Sequence, residues 1–261
     1  INVDEQEDDG LTPLVAACGH GHIECVQALL AAHATVDKPA EDGSTPLIAA
    51  CSKGHVECMQ ALLAAHAAVD KQGPHGGTPL YFACSQGHVE CVQALLAAHA
   101  AIDQPDEDGD TPLHAACSKG HVECMQALLT AHATVDLPGS KGQTPLFIAC
   151  GKGHVECVQA LLTAHATVDL PESKGQTPLF FACYKGHVEC VQALLAAHAA
   201  IDQPAEDGST PLIAACSLGH VECMQALLTA HAAVDLPTSK GQTPLFIACS
   251  KGHVECVQAL L

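Results

Sequence analysis

One unit of 33 residues recurs along the whole chain without an insertion or a deletion. A tripeptide, Thr-Pro-Leu, begins each of eight units. Its starting positions are Thr12, Thr45, Thr78, Thr111, Thr144, Thr177, Thr210 and Thr243. A second block, Gly-His-[Ile/Val]-Glu-Cys, begins at Gly21 and recurs at the same interval through Gly252. Strict periodicity of this length is typical of architectures in which each unit packs on its neighbours. The units are numbered repeats 1 to 8.

Local chemistry within one unit predicts two short helices. Thr45 is a good N-cap, and Pro46 suits the first helical position, where its missing N–H costs nothing. Gly54 is expected to end this helix, because glycine tolerates positive φ. His55 then opens a second helix, which is expected to stop near His66 in a left-handed conformation. An extended loop leads from there to the next unit.

This order of turn, helix, turn, helix and loop resembles the ankyrin repeat, and the resemblance covers the whole chain. Repeat 4 carries most of the family pattern in Gly109, Thr111, Pro112, Leu113, His114, Ala115, Ala116, Gly120, His121, Leu128 and Leu129. The resemblance implies an all-α fold, an ankyrin-repeat solenoid of stacked helix-turn-helix units with projecting hairpin loops. We expect residues 1–261 to form a single array.

The sequence departs from the family pattern at three positions. Only His114 keeps the family histidine after Thr-Pro-Leu, a histidine replaces the glycine after the second helix, and an aspartate such as Asp70 replaces the loop asparagine. The chain begins at Ile1 with residues that match the end of a unit, and it stops at Leu261 inside a second helix. We therefore expect a piece of a longer array.

Charge and composition exclude several classes of function. The formal net charge is −19, and the cationic residues are ten lysines with no arginine. Because arginine is the preferred residue for phosphates and guanines, nucleic acids and anionic membranes are poor partners for such a chain. No apolar run reaches the roughly 18 residues that a membrane-spanning helix needs, so membrane insertion is not expected. We expect a monomer, with end-to-end contacts through uncapped termini as an alternative.

The sixteen cysteines recur with the repeat. This periodicity argues against the disulfide framework of a small secreted protein and favours an intracellular, cytoplasmic setting. Cysteine, histidine and cysteine also recur as Cys-x3-His-x2-Cys, as at Cys51, His55 and Cys58, and these are zinc-type ligands. A fourth ligand is not evident, and unpaired cysteine commonly behaves as a small buried apolar residue. We predict structural cysteines and no metal or cofactor.

Catalysis has little support in the sequence. Cys/His and Ser/His/Asp sets exist, but they arise by repetition, and no P-loop, dinucleotide fingerprint or nucleophile elbow is present. The recurring histidines are interpreted as local features that start or end helices. Their shared titration near about pH 6 is a second hypothesis. We expect no enzymatic activity.

The differences between repeats are concentrated at the loop tips and in the first helices, while the second helix is nearly constant. By analogy with the family, these variable positions line a concave groove. The predicted partner-binding residues are Glu41, Asp42, Ser44, Lys53, His75, Gln86, Glu107, Asp108, Asp110, Lys119, Lys141, Gln143, Lys152, Lys174, Gln176, Tyr184 and Lys185.

All seven aromatic residues lie in first helices, and we assign most of them to the core, in particular Phe82 and Phe181. Tyr184 stands where other repeats have serine or glycine, and tyrosine is enriched in protein interfaces. We expect a scaffold that binds a partner protein along the groove. A structural spacer or elastic segment without its own ligand is the alternative, and Cys/His metal binding ranks below both.

Overall fold

The computed structural model describes residues 2–7 and 10–261, so Ile1, Asp8 and Asp9 lie outside the described residues. Two compact units, Ile1–Thr134 and Val135–Leu261, divide the chain. Unit 1 contains repeats 1 to 4 and unit 2 contains repeats 5 to 8. The described part of the chain is all-helical, with no strand.

Each repeat contributes two α-helices. The helices of unit 1 are α1 (Pro13–Gly19), α2 (Ile23–Ala31), α3 (Pro46–Lys53), α4 (Val56–Ala64), α5 (Pro79–Gln86), α6 (Val89–Ala97), α7 (Pro112–Lys119) and α8 (Val122–Thr130). Those of unit 2 are α9 (Pro145–Lys152), α10 (Val155–Thr163), α11 (Pro178–Lys185), α12 (Val188–Ala196), α13 (Pro211–Leu218), α14 (Val221–Thr229), α15 (Pro244–Lys251) and α16 (Val254–Leu260). Short 3₁₀ turns lie at Pro74–Gly76 and Ser140–Gly142.

The first helix of each repeat starts at the Thr-Pro pair, as predicted. The N–H of Ile48 donates to Oγ1 of Thr45 at 3.2 Å, which satisfies one of the free donors at the helix start. Repeat 4 closes this turn more tightly, because the N–H of Thr111 also donates to Nδ1 of the buried His114 at 3.1 Å. The repeats that lack the family histidine keep the threonine cap alone.

Left-handed residues end both helices of a repeat. Gly54 has φ 76° at the end of α3, and His66 has φ 63° just beyond α4. The predicted left-handed histidine is confirmed at His33, His66, His99, His132, His165, His198 and His231. A side chain with a Cβ is strained in this conformation, so each of these histidines carries a local energetic cost.

The core of each unit consists of thin layers between neighbouring helices. In unit 1 the first helices pack in the order α1, α3, α5, α7, and the second helices pack in the order α2, α4, α6, α8. Unit 2 repeats this arrangement with α9, α11, α13, α15 and α10, α12, α14, α16. Residues such as Leu47, Cys51, Met59 and Leu62 have no exposed surface in these layers. Small and medium side chains suit this close packing of short helices.

Aspartates of the extended loops join each repeat to the next one. The carboxylate of Asp37 accepts the backbone N–H of Ala68 at 3.1 Å, and Asp70 accepts that of Ala101 at 2.8 Å. The same bond recurs in unit 2, where Asp136 accepts the N–H of Thr167 at 3.1 Å. The replacement of the family asparagine therefore keeps the acceptor that the stack requires.

The histidines at the start of the second helices make a contact that the sequence interpretation missed. They stand at the N-cap, but their side chains do not cap the helix. Instead, Nε2 of His88 lies 3.2 Å from the carbonyl oxygen of Ser52 in the preceding repeat, so this ring nitrogen is the donor. A Cβ at Gly54 would lie only 2.6 Å from Nδ1 of His88. Gly54 is thus required both for its positive φ and for the room that this ring needs.

Fourteen of the sixteen cysteines are buried and none forms a disulfide. Burial raises the pKa of Cys18 to about 12 and the pKa of Cys124 to about 11. The thiol of Cys51 is hydrogen-bonded to Cys91 of the next repeat, and this bond together with burial raises the pKa of Cys51. The stack pairs a first-helix cysteine with a second-helix cysteine of the next repeat.

We predict that only Cys25 and Cys249, the two exposed cysteines, react rapidly with a thiol reagent such as DTNB in the native protein. At about pH 8 a thiol whose pKa is about 12 is ionised in roughly one molecule in ten thousand, and the thiolate is the reactive form. The Cys25→Ser, Cys249→Ser double variant should lack the fast phase of the DTNB reaction. In denaturant all of its remaining thiols should react. Fast labelling of further cysteines in the native protein would contradict the packing.

We predict that His66→Gly stabilises the protein by about 0.5–1 kcal/mol, because glycine removes the left-handed strain and His66 is exposed. His66→Ala is the matched control and should destabilise by a similar amount, since alanine keeps the Cβ and lacks the tolerance of histidine for this conformation. Urea unfolding followed by circular dichroism measures both. Equal stability of the two variants would show that backbone strain at this position is negligible.

Candidate protein-binding surface

The loop before each first helix ends in a tight turn, called here the tip. In repeat 2 the N–H of Ala40 donates to the carbonyl of Ser44 at 2.9 Å, and the N–H of Gly43 donates back to Ala40 at 3.0 Å. The tip of repeat 6 has the same pair of bonds, from Glu172 to Gln176 and from Gly175 to Glu172. This geometry gives each tip a defined shape even though its residues vary.

Polar side chains of the tips hold the turns from within. Glu172 is buried, and its carboxylate accepts the N–H of Lys174 at 2.7 Å and that of Gln176 at 3.4 Å. In repeat 4 the carboxylate of Asp106 accepts the N–H groups of Asp108 and Asp110 at 3.0 and 2.9 Å. Different side chains therefore perform the same task, which lets the tips vary in charge while keeping their fold.

Neighbouring tips are also joined by backbone hydrogen bonds. In unit 1 the N–H of Glu107 donates to the carbonyl of His75 at 3.0 Å. In unit 2 the N–H of Ser173 donates to Lys141 at 2.9 Å and that of Glu206 donates to Lys174 at 3.0 Å. The N–H of Ser239 likewise donates to Asp207 at 2.9 Å, so the tips of repeats 5 to 8 form a continuous edge.

The structure places the predicted binding residues in two groups, and none of them is buried. The tips carry Glu41, Asp42, Ser44, His75, Glu107, Asp108, Asp110, Lys141, Gln143, Lys174 and Gln176. The C-terminal ends of the first helices carry Lys53, Gln86, Lys119, Lys152, Tyr184 and Lys185. Tips and first-helix residues together line the two clefts described next. We call the surface formed by the tips and first-helix ends of a unit its groove face.

A cleft of about 440 Å³ in unit 1 brings three of these residues together. Asp42 and Ser44 of the tip and Lys53 at the end of α3 line it, together with apolar residues that include Leu11, Val15 and Ala49. His20 lines the same cleft and was not predicted. Its ring stacks on His22 with a centroid distance of 5.8 Å. The predicted residues of repeats 3 and 4 lie outside this cleft.

A second cleft of about 370 Å³ lies in unit 2, among repeats 6, 7 and 8. Gln176 and Tyr184 are the two predicted residues that line it. Its apolar lining comes from Phe180, Ile213, Ala214 and Ile247, and its polar lining comes from the tips of repeats 7 and 8. The predicted Lys141, Gln143, Lys152, Lys174 and Lys185 lie outside this cleft.

The list of predicted binding residues stops at Lys185, although the variable tips of repeats 7 and 8 also belong to the predicted groove. The tip residues of these two repeats that line the cleft are Asp207, Ser209, Thr238, Ser239, Lys240 and Gln242. The signal for them was present, because Ser209 and Gln242 occupy the same phase of the repeat as Ser44 and Gln176. Applying the 33-residue interval to the last two repeats would have found them.

An aromatic stack borders the cleft of unit 2. The rings of Phe147 and Phe181 stack with centroids 4.6 Å apart, and Phe181 stacks on Tyr184 at 6.2 Å with an interplanar angle of 7°. Phe147 and Phe180 are buried, but Phe181 is only half-buried, and so is Phe82 in unit 1. The assignment of Phe82 and Phe181 to the core is therefore wrong in degree. Phe181 thus packs against Tyr184, which is 40% exposed.

Tyr81 holds a tip in place in unit 1. Its phenol donates a hydrogen bond to the carboxylate of Asp106, in the tip of the next repeat. Burial, followed by this carboxylate, raises the pKa of Tyr81 well above its ordinary value. The residue that replaces the family histidine in repeat 3 therefore forms a contact between repeats instead of a local turn bond.

The cysteine and histidine sets do not converge on a common point. The ring of His55 packs against Gly21 of the preceding repeat, while Cys51 pairs with Cys91 of the following one. Among residues 2–7 and 10–261, no group of three or more His, Cys, Asp or Glu side chains is placed to hold a metal ion. No helix among the same residues is long and apolar enough to span a bilayer.

Comparisons with known proteins agree with this architecture. The profile of the family described as Ankyrin repeats (3 copies) matches residues 1–72, 66–138, 131–207 and 194–261. The chain belongs to the ankyrin repeat family. It is similar to the crystal structure of the human ASB11 ankyrin repeat domain, with 31% identity and a TM-score of 0.76, over 85% of this chain and 99% of that one. A search of curated proteins found no match.

We predict that Glu172→Ala loosens the tip of repeat 6, because two backbone N–H groups lose their buried acceptor. The loss should be about 1–2 kcal/mol locally, seen as roughly tenfold faster hydrogen exchange at Lys174 and Gln176. Alanine already stands at this position in repeat 7, as Ala205, so the change creates no steric conflict. Glu206→Ala, an exposed carboxylate of the next tip, is the control and should change exchange little. Unchanged exchange in Glu172→Ala would show that the carboxylate does not order the tip.

Proposed function

We propose that this chain is a protein-interaction scaffold that binds a partner protein along its groove faces. Ankyrin repeats are in general a protein–protein interaction module. The observation that carries the proposal is the position of the variable residues. The second helices expose the same Glu and Gln in every repeat, as at Glu57 and Gln60, whereas the exposed residues of tips and first-helix ends differ. A surface that differs from repeat to repeat can distinguish partners, and a uniform one offers little specificity.

In this proposal the protein binds its partner and catalyses no reaction. A cysteine nucleophile needs a lowered pKa and access to its substrate. Burial raises the pKa of Cys18, Cys216 and Cys223, and Cys91, whose pKa is lowered by its hydrogen bond with Cys51, has no exposed surface. The cysteines with raised pKa serve as packing residues. Unpaired thiols persist in reducing compartments, which supports a location inside the cell, in the cytoplasm. The proposal further takes the scaffold to be a monomer without a cofactor.

A structural spacer is the second candidate, and the near-identity of the second helices favours it. The same aspartate bond to the next repeat recurs throughout each unit, at Asp37, Asp70, Asp136 and Asp169 among others. Stability in such a stack is approximately a sum of repeat and interface contributions, which suits a segment that spans distance. A spacer would need no variation on the groove face.

The test is a comparison of proteins captured from a cell extract by the immobilised chain and its variants. One groove variant carries Tyr184→Ala with Lys185→Glu, and a second carries Asp42→Lys with Lys53→Glu. The matched control carries Glu189→Lys with Gln192→Ala, which changes exposed residues of a second helix. We expect at least one groove variant to lose specific partners by about tenfold in quantitative mass spectrometry, equivalent to about 1.4 kcal/mol. The control should keep them.

Two results would contradict the proposal. Partners lost by the control but kept by both groove variants would move the binding surface to the second helices. A capture profile that none of the variants changes would favour the spacer. Circular dichroism melts of each variant exclude loss of fold as the cause.

A further inference from the structure

The lysines of unit 2 all lie on its groove face. Tips carry three of them, at Lys141, Lys174 and Lys240, and three more are the last residues of α9, α11 and α15. The latter are Lys152, Lys185 and Lys251. All six side chains are exposed. In a chain with a formal net charge of −19, this is a local concentration of positive charge.

Most carboxylates of unit 2 are engaged elsewhere. Asp136, Asp169 and Asp202 accept backbone N–H groups of the next repeat in the extended loops. The glutamates at the starts of the second helices, such as Glu189, lie in the first turn of those helices and outside the cleft. Glu172 is buried inside its tip. The exposed carboxylates of the tips in unit 2 are Glu206 and Asp207, so the groove face is positively charged.

Unit 1 shows the opposite balance. Two of its four lysines, Lys38 and Lys71, donate to the backbone carbonyls of Asp4 and Asp37 in the extended loops. The remaining lysines stand at the ends of first helices, at Lys53 and Lys119. The tips carry the exposed acids Glu41, Asp42, Glu107 and Asp108. An anionic ligand is therefore attracted to the groove face of unit 2 and repelled from the tips of unit 1.

The cleft of unit 2 adds an apolar component to this charge. Phe180, Ile213 and Ala214 line it, and Tyr184 stands at its border with 40% of its surface exposed. Its volume of about 370 Å³ falls at the small end of ligand-binding clefts, which have about 300–1,000 Å³. Exposed aromatic residues beside such a cleft are typical of the residues that dominate interface energies.

Lys185 joins the charge to the aromatic surface. Its ammonium nitrogen lies 5.3 Å from the ring centroid of Phe181 and 5.4 Å from that of Tyr184, within the range of a cation–π interaction. The Phe181 ring is itself stacked on the buried Phe147. The ammonium group is therefore held beside Tyr184, and little side-chain entropy is lost when a carboxylate binds it.

We propose that the groove face of unit 2 is a docking site for an acidic peptide segment that carries a bulky apolar side chain. The carboxylates of the segment pair with Lys152, Lys174, Lys185 and Lys240, and the apolar side chain enters the cleft beside Tyr184. This assignment rests on the proposed scaffold function and specifies the chemistry of one partner segment.

A peptide fits this surface better than a nucleic acid does. The chain has no arginine for bidentate phosphate contacts, and its overall charge of −19 repels a phosphate backbone over long range. The cleft also offers the amides Gln176 and Gln242 and the hydroxyls Ser209 and Thr238, which can bond peptide groups. Nucleic acid binding is one of the outcomes that the experiment separates.

The experiment measures the binding of short fluorescent peptides by fluorescence polarisation. In the test peptides glutamates surround a central phenylalanine or leucine. Three series of peptides serve as controls. They replace every glutamate with glutamine, the apolar residue with serine, or every glutamate with lysine. An oligothymidylate serves as the nucleic acid control. We expect binding of the acidic apolar peptides, at least about tenfold weaker binding of each peptide control, and a decrease in affinity as salt increases.

Matched charge reversals locate the site. Lys152→Glu with Lys185→Glu should weaken binding of the acidic apolar peptide by about tenfold or more. Lys53→Glu with Lys119→Glu changes the same residue type at the same helix position in unit 1, and it should change affinity by less than about twofold. Tyr184→Ala keeps every charge. It should reduce the affinity for the acidic apolar peptide more than it reduces the affinity for the control peptide with serine in place of the apolar residue.

Each other outcome overturns the assignment. Equal weakening by both reversals would indicate attraction to total charge instead of a site, and tight oligothymidylate binding would indicate a general polyanion site. If no acidic peptide binds, acidic peptide segments are not the partners of this surface. In that case, capture of partners that depends on Tyr184 and Lys185 would still support the scaffold function. If acidic peptides do not bind and capture does not depend on the groove residues, both the docking site and the scaffold function are wrong.

Discussion

Apolar packing between neighbouring repeats is the interaction on which this structure depends. A single repeat is too small to bury its own apolar residues, and Leu47, Met59 and Leu62 lose their exposed surface only between adjacent helix pairs. Polar contacts then set the spacing, through the Asp70 carboxylate on the Ala101 amide and the His88 ring above Gly54. These contacts use one carboxylate and one imidazole per repeat, which is why so many charged and titratable residues of the chain are structural.

The cysteines show how the same packing constrains chemistry. Cys51 and Cys91 come from different helices of adjacent repeats and meet in the buried layer, where they pack as small side chains. Burial favours the neutral thiol at residues such as Cys18, Cys124 and Cys216, so side chains that look like metal ligands or nucleophiles in the sequence act there as small apolar residues. Repetition of a reactive residue type is therefore no sign of repeated chemistry.

The tips separate two requirements that a binding surface must meet. Hydrogen bonds within each tip, such as those accepted by Glu172 and Asp106, keep the backbone shape constant. Exposed positions beside them differ in charge between repeats, from Asp42, whose carboxylate also accepts the N–H of Ser44, to the equivalent Lys174. This division explains how units of one shape can carry an acidic groove face in unit 1 and a basic one in unit 2. Electrostatic complementarity of this kind contributes more to partner choice than to total affinity.

The sequence by itself determined what depends on the backbone of one repeat. The Thr45 cap, the left-handed Gly54 and His66, and the second helix after His55 follow from local dihedral preferences and free helix-end donors, and all were predicted correctly. The variable tips also follow from the sequence alone, although extending the list through Gln242 required applying the period fully.

Only the tertiary structure decided which residues meet across neighbouring repeats. Stacking brings together positions that are not equivalent in the repeat, such as His88 with Ser52, Cys91 with Cys51, and Tyr81 with Asp106. These pairings depend on the offset between stacked helix pairs, which a one-dimensional period does not contain. The same offset leaves Phe181 half-buried beneath Tyr184 and gathers residues of three repeats around one cleft. The period thus specifies the unit, and the packing between units specifies the surface.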